Sequence, residues 1–435
     1  MHWIYTIASY LFFALASPVL LLHPKTREGW ARRLGVYPSD FLAHRPKGPG
    51  RPRIWLHGAS AGDLSALSPM ICEFKRRLPG CTVVVTTLTN SGALMARRLS
   101  GVDEVSYLPW DLPGATRRAV QAIDPDLLVL EYTELWPHLI RAARRQGARI
   151  VLTNGRFSEN NLGRYRWLFA VSGRPLASFD LLLMREDEEA ERVLGLGAPL
   201  DRVWVTGNTK FDALLLEAGN DRPDLAGILD LDAAPVLIAG STHEGEDLLV
   251  IDVWERLLAD HPDLQLVIAP RYLERCSKLR GLAEERGFAV RLRSAAGAGP
   301  RRDAAGRPAI VVLDSIGELV AAYRLGTLVF VGGSFTDRGG QNILEPAAQG
   351  KPVLFGPNMA NFHDAVQVLV GRGGIQVNDA AHFYRVAHEL LSRPEKIAEL
   401  GELAQRTVHG IRGASRRNVD HMLRLLGALG EAEAA

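Results

Sequence analysis

The stretch RIWLHGASAGDLSALSPMICEFKRRLPGCTVVVTT, residues 53–87, contains the organisation of the chain in miniature. A short apolar run, RIWLHG, leads into a segment with helical spacing and then into a β-branched run, TVVVTT. Outward from there, EVSYLP, DLLVLE, RIVLTN, DLLLM and RVWVTG repeat the pattern as far as residue 207. A second series follows: APVLIAG, LQLVIAP, FAVRLR, AIVVLD, TLVFVGG, KPVLFG and GIQV. Alternation of this kind specifies parallel sheets with crossover helices, and two series specify two doubly wound α/β domains. Asp, Gly and Pro punctuation in residues 211–233, FDALLLEAGNDRPDLAGILDLDA, marks the seam between them. The segment SAAGAGPRRDAAGR, residues 294–307, reads as a mobile surface loop with solvated arginines.

Composition agrees with this. A length of 435 residues suits two domains rather than one core. Hydrophobic content of 47% and charged content of 23% exclude wholesale disorder. A net charge of +2, from 51 Lys+Arg against 49 Asp+Glu, argues against nucleic acid as a general partner. Cys72, Cys81 and Cys276 lack a C-x-x-C spacing, so neither a disulfide framework nor a cysteine zinc site is expected. His57, His243 and His363 show no metal-binding pattern.

The strongest departure from average composition is WIYTIASYLFFALASPVLLL, residues 3–22, which carries no formal charge. Its length just suffices to cross a bilayer as a helix. Pro18 also allows an embedded hairpin or a half-inserted helix. Between His23 and Arg53 come Lys25, Arg27, Arg32, Arg33, Arg45, Lys47, Arg51 and Arg53, against Glu28 and Asp40 alone. Positive charge there holds that side cytoplasmic and attracts anionic membrane lipids. Ala14-Leu15-Ala16 imitates a signal-peptide cleavage site, but the basic cluster lies on the wrong side of the apolar run. The expected organisation is therefore an anchor at 1–22, a basic juxtamembrane segment at 23–52, a first domain at 53–212, a linker at 213–233, and a second domain with terminal helices at 234–435. Two Rossmann-like domains facing a cleft, behind an N-terminal membrane-anchor helix, are the GT-B architecture of many glycosyltransferases.

Ligands of open parallel sheets gather beyond the carboxyl ends of the strands, so polar residues there carry the site. Asp63, after Gly62 and near the first helix start, is either a first-turn aspartate or a general base for an acceptor hydroxyl. Gly240-Ser241-Thr242 holds the equivalent place in the second domain and either caps a helix or binds phosphate. Arg271, directly after Pro270, offers a fork to phosphate or carboxylate, or else a surface ion pair. Gly339-Gly340 precedes an expected helix opening at Gln341-Asn342, whose Glu345 can accept bonds from ribose hydroxyls.

Taken in order, these motifs resemble the membrane-associated 3-deoxy-D-manno-octulosonic acid (Kdo) transferases of lipopolysaccharide synthesis, from the apolar N-terminus to about residue 380. The matching residues include Arg33-Leu34-Gly35, Gly62-Asp63, Glu131, Glu134-Leu135-Trp136-Pro137, Asn154, Arg156, Lys210-Phe211-Asp212, Ser241-Thr242-His243, Pro270-Arg271, Gly317-Glu318-Leu319, Gly339-Gly340, Asn342 and Glu345-Pro346. The resemblance implies a CMP-Kdo donor, a lipid A precursor acceptor, and inversion at the anomeric carbon. It also implies the cytoplasmic face of the inner membrane, with no metal and no separate cofactor. It assigns Asp63 as the base, and Ser241, Thr242, Arg271, Gly317, Glu318, Gly339, Gly340, Asn342 and Glu345 to the donor. It assigns Ser60, Gly62, Glu131, Glu134, Arg156 and Lys210 to the acceptor.

Three positions depart from the family pattern. The family's glutamate in a V-G-E turn is here Ala61-Gly62-Asp63, one methylene shorter, about 1.5 Å of reach. Its G-G-H-N is Gly339-Gly340-Gln341-Asn342, and its P-R-H is Pro270-Arg271-Tyr272. These changes leave two alternatives: a UDP-sugar transferase of the same architecture, or a lipid-sugar binding protein that has lost turnover. The absence of G-x-G-x-x-G after the first strand of either domain disfavours a nicotinamide dehydrogenase.

Overall fold

The computed structural model describes residues 2–22, 27–48, 50–215, 222–295 and 298–427. They fall into two compact units, residues 1–213 with 412–435, and residues 214–411.

The first unit holds a parallel sheet of β1 (Arg53–His57), β2 (Thr82–Thr87), β3 (Glu104–Tyr107), β4 (Leu127–Glu131), β5 (Arg149–Gly155), β6 (Leu181–Met184) and β7 (Val203–Val205). Its strand order is β3-β2-β1-β4-β5-β6-β7. Every residue of β1 is buried, as a parallel strand covered on both faces requires. Side chains alternate across it: Ile54 and Leu56 join one core layer, and Trp55 the other.

Helices cover both faces. An apolar helix, α1 (His2–Leu22), runs without interruption through Pro18. The first crossover, α2 (Ala61–Arg77), packs Leu64, Leu67, Ile71 and Phe74 against Ile54 and Leu56. It starts with a capping box, in which Ser60 Oγ accepts from Asp63 N and Asp63 accepts from Ser60 N. Lys75, Arg76 and Arg77 in its last turn complement the helix dipole. Next come α3 (Pro113–Ile123), α4 (Pro137–Gln146) and α5 (Leu162–Ser172).

The chain's last described helix, Ala414–Leu425, corrects the boundary expected at 234–435. Its stripe of Val419, Met422 and Leu423 enters the core layer of α2 in the first unit. Asp212 accepts from Gly413 N and Ser415 N, both at 2.7 Å, and so fixes the helix start. Asn418 donates to Thr153 Oγ1 at 2.6 Å within that core. An amphipathic stripe buries where an apolar face is uncovered, whatever its position along the chain.

In the second unit the strands are β8 (Val236–Thr242), β9 (Gln265–Pro270), β10 (Val290–Leu292), β11 (Ile310–Val312), β12 (Leu328–Val331), β13 (Val353–Phe355) and β14 (Gly374–Gln376). All are parallel, in the order β10-β11-β9-β8-β12-β13-β14. All fourteen strands lie on the runs read from the sequence. On the helical side, α6 (Glu246–Leu257) packs Val250, Trp254 and Leu257 onto the sheet. A short helix, α7 (Leu344–Ala348), follows the glycine pair.

Two expectations about basic residues change. Arg33 is fully buried, donating to Glu28 O and Leu88 O under the rings of Tyr107 and Trp110. Burial pulls its guanidinium down to about 10. Arg53 is buried as well, and Arg45 and Lys47 pair with Asp103, Asp124 and Asp126. Much of the basic segment therefore ties the segment to the first sheet; Lys25 lies outside the described residues. Likewise Arg301, Arg302 and Arg307 are paired, with Asp230, Asp263, Asp303 and Glu255, although Arg301 and Arg302 stay at the surface as expected. The rest of that loop, residues 296–297, lies outside the described residues.

Candidate active site

In each sheet the strand order reverses once, between β1 and β4 and between β8 and β12. Loops leaving the carboxyl ends of such a strand pair diverge to opposite faces and leave a crevice between them. Ser60, Gly62, Asp63, Glu131 and Glu134 lie at the first of these points and Ser241 and Thr242 at the second.

At the first point, Asp63 is the third residue of α2, and its Oδ2 accepts from Ser60 N at 2.8 Å. The capping role weighed from the sequence is real. It leaves Oδ1 without a hydrogen-bond partner among the described residues, so one oxygen is oriented and the other can take a proton. Glu131 ends β4 and is fully buried, accepting from Asn154 Nδ2 at 2.9 Å. Burial pushes its carboxyl well above the usual range, with the Asp63 charge adding to the rise and Asn154, Thr209 and Arg185 opposing it. Two neighbouring carboxyl groups thus stand in unlike environments, one buried and one half-exposed beside a helix start.

Glu134 follows the same strand and accepts from Trp136 Nε1 at 2.9 Å. Its Oε2 also lies 3.4 Å from His57 Nε2, while His57 Nδ1 lies 3.0 Å from Thr86 O. Tyr132 and Asn154 hold φ of 55° and 53° at the ends of β4 and β5. Left-handed backbone at non-glycine residues stores strain and collects at working sites. Gly62 is exposed in the first turn of α2. Arg156 is exposed after β5, and Lys210 follows β7 with its N–H donating to Asn208 Oδ1 at 3.0 Å. Neither makes a side-chain contact with Asp63 or Glu131.

At the second point the structure brings Ser241, Arg271 and Gly317 together around one cavity of about 430 Å³, with Tyr272, Ser315 and Ile316. Ser241 sits at φ 54°, a third strained residue at a strand end. The helix expected to start on Ser241-Thr242 starts at Glu246, because β8 continues through Thr242 and Gly245 makes the turn. A second cavity of about 400 Å³ holds His243, Arg275 and Arg338, and Tyr272 lines both. Burial depresses the His243 imidazole; Glu246 counters this, and Arg338, Arg275 and Arg271 depress it further. Glu244 and Asp337 line the same cavity and Arg275 pairs with Asp247, so its arginines are balanced by carboxylates.

Glu246 holds these loops in place and had no assigned role from the sequence. Its buried carboxylate accepts from His243 N (2.8 Å), Gly333 N (2.6 Å), Ser334 N (3.0 Å) and Phe335 N (2.9 Å). One side chain so joins the loop after β8 to the loop after β12. A β-carbon at Gly332 would lie 2.6 Å from Thr242 Cα, so only glycine permits this approach. Sequence spacing gives no sign of this, since the partners lie 87–89 residues away.

Other donor residues are placed differently. Glu318 is buried and pairs with Arg293 and Arg222, with Ser315 Oγ donating to it as well. Gly339 lines a separate cavity of about 550 Å³ with Asp337, Met359 and His363. The helix expected to open at Gln341-Asn342 opens at Leu344, after a local turn in which Asn342 Oδ1 accepts from Leu344 N at 3.1 Å. Asn342 Nδ2 also donates to Glu345 Oε1 at 2.9 Å. Gly339 and Gly340 both have φ near 80°, as the tight turn before Asn342 demands.

Residues 28–213 match the family model described as 3-deoxy-D-manno-octulosonic-acid transferase. The 3-deoxy-D-manno-octulosonic acid transferase of Haemophilus influenzae is 30% identical over 401 residues, 91% of each chain. That of Bordetella pertussis is 32% identical over 399 residues, 88% of this chain and 90% of the other. Among solved structures, UDP-GlcNAc 2-epimerase from Neisseria meningitidis aligns with a TM-score of 0.56 at 15% identity, covering 86% of this chain and 100% of that one. The last likeness concerns the fold alone.

Proposed function

Because the chain belongs to the 3-deoxy-D-manno-octulosonic acid transferase family, and is thereby a glycosyltransferase of GT-B fold, we propose that it moves Kdo from CMP-Kdo to a hydroxyl of a lipid A precursor, with inversion and without a metal, at the cytoplasmic face of the inner membrane. The acceptor oxygen bonds to the anomeric carbon as the bond from that carbon to the CMP phosphate oxygen breaks. CMP leaves with the electron pair, and the acceptor proton passes to Asp63. Ser60 N holds one Asp63 oxygen, which orients the other toward the proton it receives. Glu131 and Glu134 line the acceptor side with Gly62, Arg156 and Lys210.

The observation that best supports an anionic nucleotide-sugar donor is the cavity lined by Ser241, Arg271 and Gly317, with the Arg271 guanidinium at the end of β9. Thr242, Gly339, Gly340, Asn342 and Glu345 complete the donor side, with Glu345 on the ribose. Glu318 serves it indirectly, by holding the Gly317 turn through Arg293 and Ser315. The lipid acceptor accounts for α1, whose residues Trp3–Leu22 form a helix long and apolar enough to cross a membrane.

Equilibrium binding of CMP and UDP to the full chain tests the reading. CMP should bind in preference to UDP, and Arg271→Ala should weaken CMP by about 1.5–3 kcal/mol, the scale of a charged hydrogen bond. Equal affinity for the two nucleotides, or unchanged CMP binding in the variant, overturns the donor assignment.

A further inference from the structure

On one side of α1, a pocket of about 650 Å³ is lined by Thr6 and Tyr10 of α1 and by Arg117, Arg141 and Arg145 of α3 and α4. No carboxylate lines it, and no carboxylate pairs with Arg117 or Arg145 among the described residues. Burial and then the Arg145 charge pull the Arg141 guanidinium down, with Asp111 and Tyr5 opposing them. Such a concentration of like charge is unfavourable unless an anion offsets it. Pro113 and Gly114 line the same pocket, so the positive end of α3, which lacks a side-chain cap, adds to the field.

On the other side of α1 lies an apolar groove of about 470 Å³, lined by Ile4, Phe12 and Phe13 of α1 together with Trp110, Trp136 and Trp167. Trp167 is 68% exposed there, unlike a core tryptophan. α1 is itself held on the body, with Tyr5 OH donating to Asp111 at 2.7 Å and Phe13 against Trp30 and Trp110. One short helix thus separates a guanidinium-lined pocket from an aromatic-lined groove, the division found at the headgroup depth of a bilayer.

We propose that these two recesses form a binding site for one anionic glycerophospholipid, with its phosphate among Arg117, Arg141 and Arg145 and an acyl chain along the tryptophan groove. The site is distinct from the Asp63 and Arg271 sites and meets the first of them only through Trp136, which donates to Glu134. It relocates the electrostatic attachment to the membrane from the basic segment, whose Arg33 and Arg53 are buried, to the α1 seat. It rests on the reading that α1 lies in the bilayer.

Native mass spectrometry of the full chain in non-ionic detergent, titrated with phosphatidylglycerol or phosphatidylcholine, tests it, alongside flotation with vesicles of each lipid. One phosphatidylglycerol should be retained per chain, with phosphatidylcholine bound at least about tenfold more weakly, the scale of interfacial lysine or arginine attraction. Arg117→Gln with Arg145→Gln should abolish that preference, while Arg117→Lys with Arg145→Lys preserves it. The melting temperature should be unchanged, since both side chains are exposed. Inorganic phosphate at millimolar concentration should not displace the lipid. Equal retention of the two lipids, unchanged retention in the glutamine variant, or complete displacement by phosphate overturns the site. A full chain that floats with neither vesicle overturns the placement of α1 in the bilayer instead.

Discussion

Asp63 caps α2 through one oxygen and, in the mechanism we propose, takes the acceptor proton on the other, and substitutions separate the two. Asp63→Asn keeps an oxygen for Ser60 N but removes the proton acceptor. Folding and CMP binding should survive, while sugar transfer falls at least about 100-fold, the lower range of general-base catalysis. Asp63→Glu restores the family's side chain and should retain appreciable transfer. Wild-type turnover by Asp63→Asn would move the base elsewhere, with Glu131 or Glu134 next to be tested. For Glu131 the expectation concerns stability. Its buried carboxyl has a raised pKa, so the native state binds more protons than the unfolded chain once pH exceeds the unfolded value near 4.5. Its contribution is therefore fully present below that pH and is lost as pH rises toward the folded value. Glu131→Gln, which keeps the acceptor for Asn154 but cannot ionise, should melt progressively higher than the wild type as pH rises above the unfolded value. Thermal melts that track each other across that range would contradict the assignment.

At the scale of elements, Ser60→Ala should cost about 1 kcal/mol of stability through the lost cap of α2. It should also lower kcat, since the Ser60–Asp63 pair sets the base. Met422→Ala, in the C-terminal helix, should destabilise by about 2–5 kcal/mol as a buried deletion. Hydrogen exchange should rise around Ile54, Leu56 and Val83, which share its core layer. Protection lost only in residues 214–411 would contradict the assignment of this helix to the first unit. The strands were legible because parallel strands covered on both faces need apolar centres, and β1, β2 and β4 are buried at every residue around such centres. The destination of the last helix was not legible, because Val419 and Met422 would suit either sheet and only the tertiary partner decides. The same holds for Arg33. Its basic character is visible in the sequence, but Tyr107 and Trp110, which bury it, lie more than seventy residues away. Ser241 and Arg271, read as polar residues at strand ends, and Gly317, taken from the family resemblance, line one cavity. Glu246 stood among those polar residues without a role, because its partners are backbone amides that carry no sequence signature.

For the whole molecule, removal of residues 1–22 should leave a chain that still binds CMP, since every assigned donor residue lies beyond residue 240. Transfer to a vesicle-embedded acceptor should fall, and Trp30, Trp110 and His138 lose their α1 contacts. Failure of the truncated chain to bind CMP would show that α1 supports the body as well as attaching it to a membrane. The central claim is that the chain transfers Kdo to lipid A-type acceptors with Asp63 as base. Mass spectrometry of a lipid A precursor incubated with the purified protein and CMP-Kdo tests it most directly. The account predicts a product heavier by one or more Kdo residues, formed by the wild type and barely by Asp63→Asn. An unmodified acceptor under conditions where CMP binds, or equal product from both proteins, would contradict it.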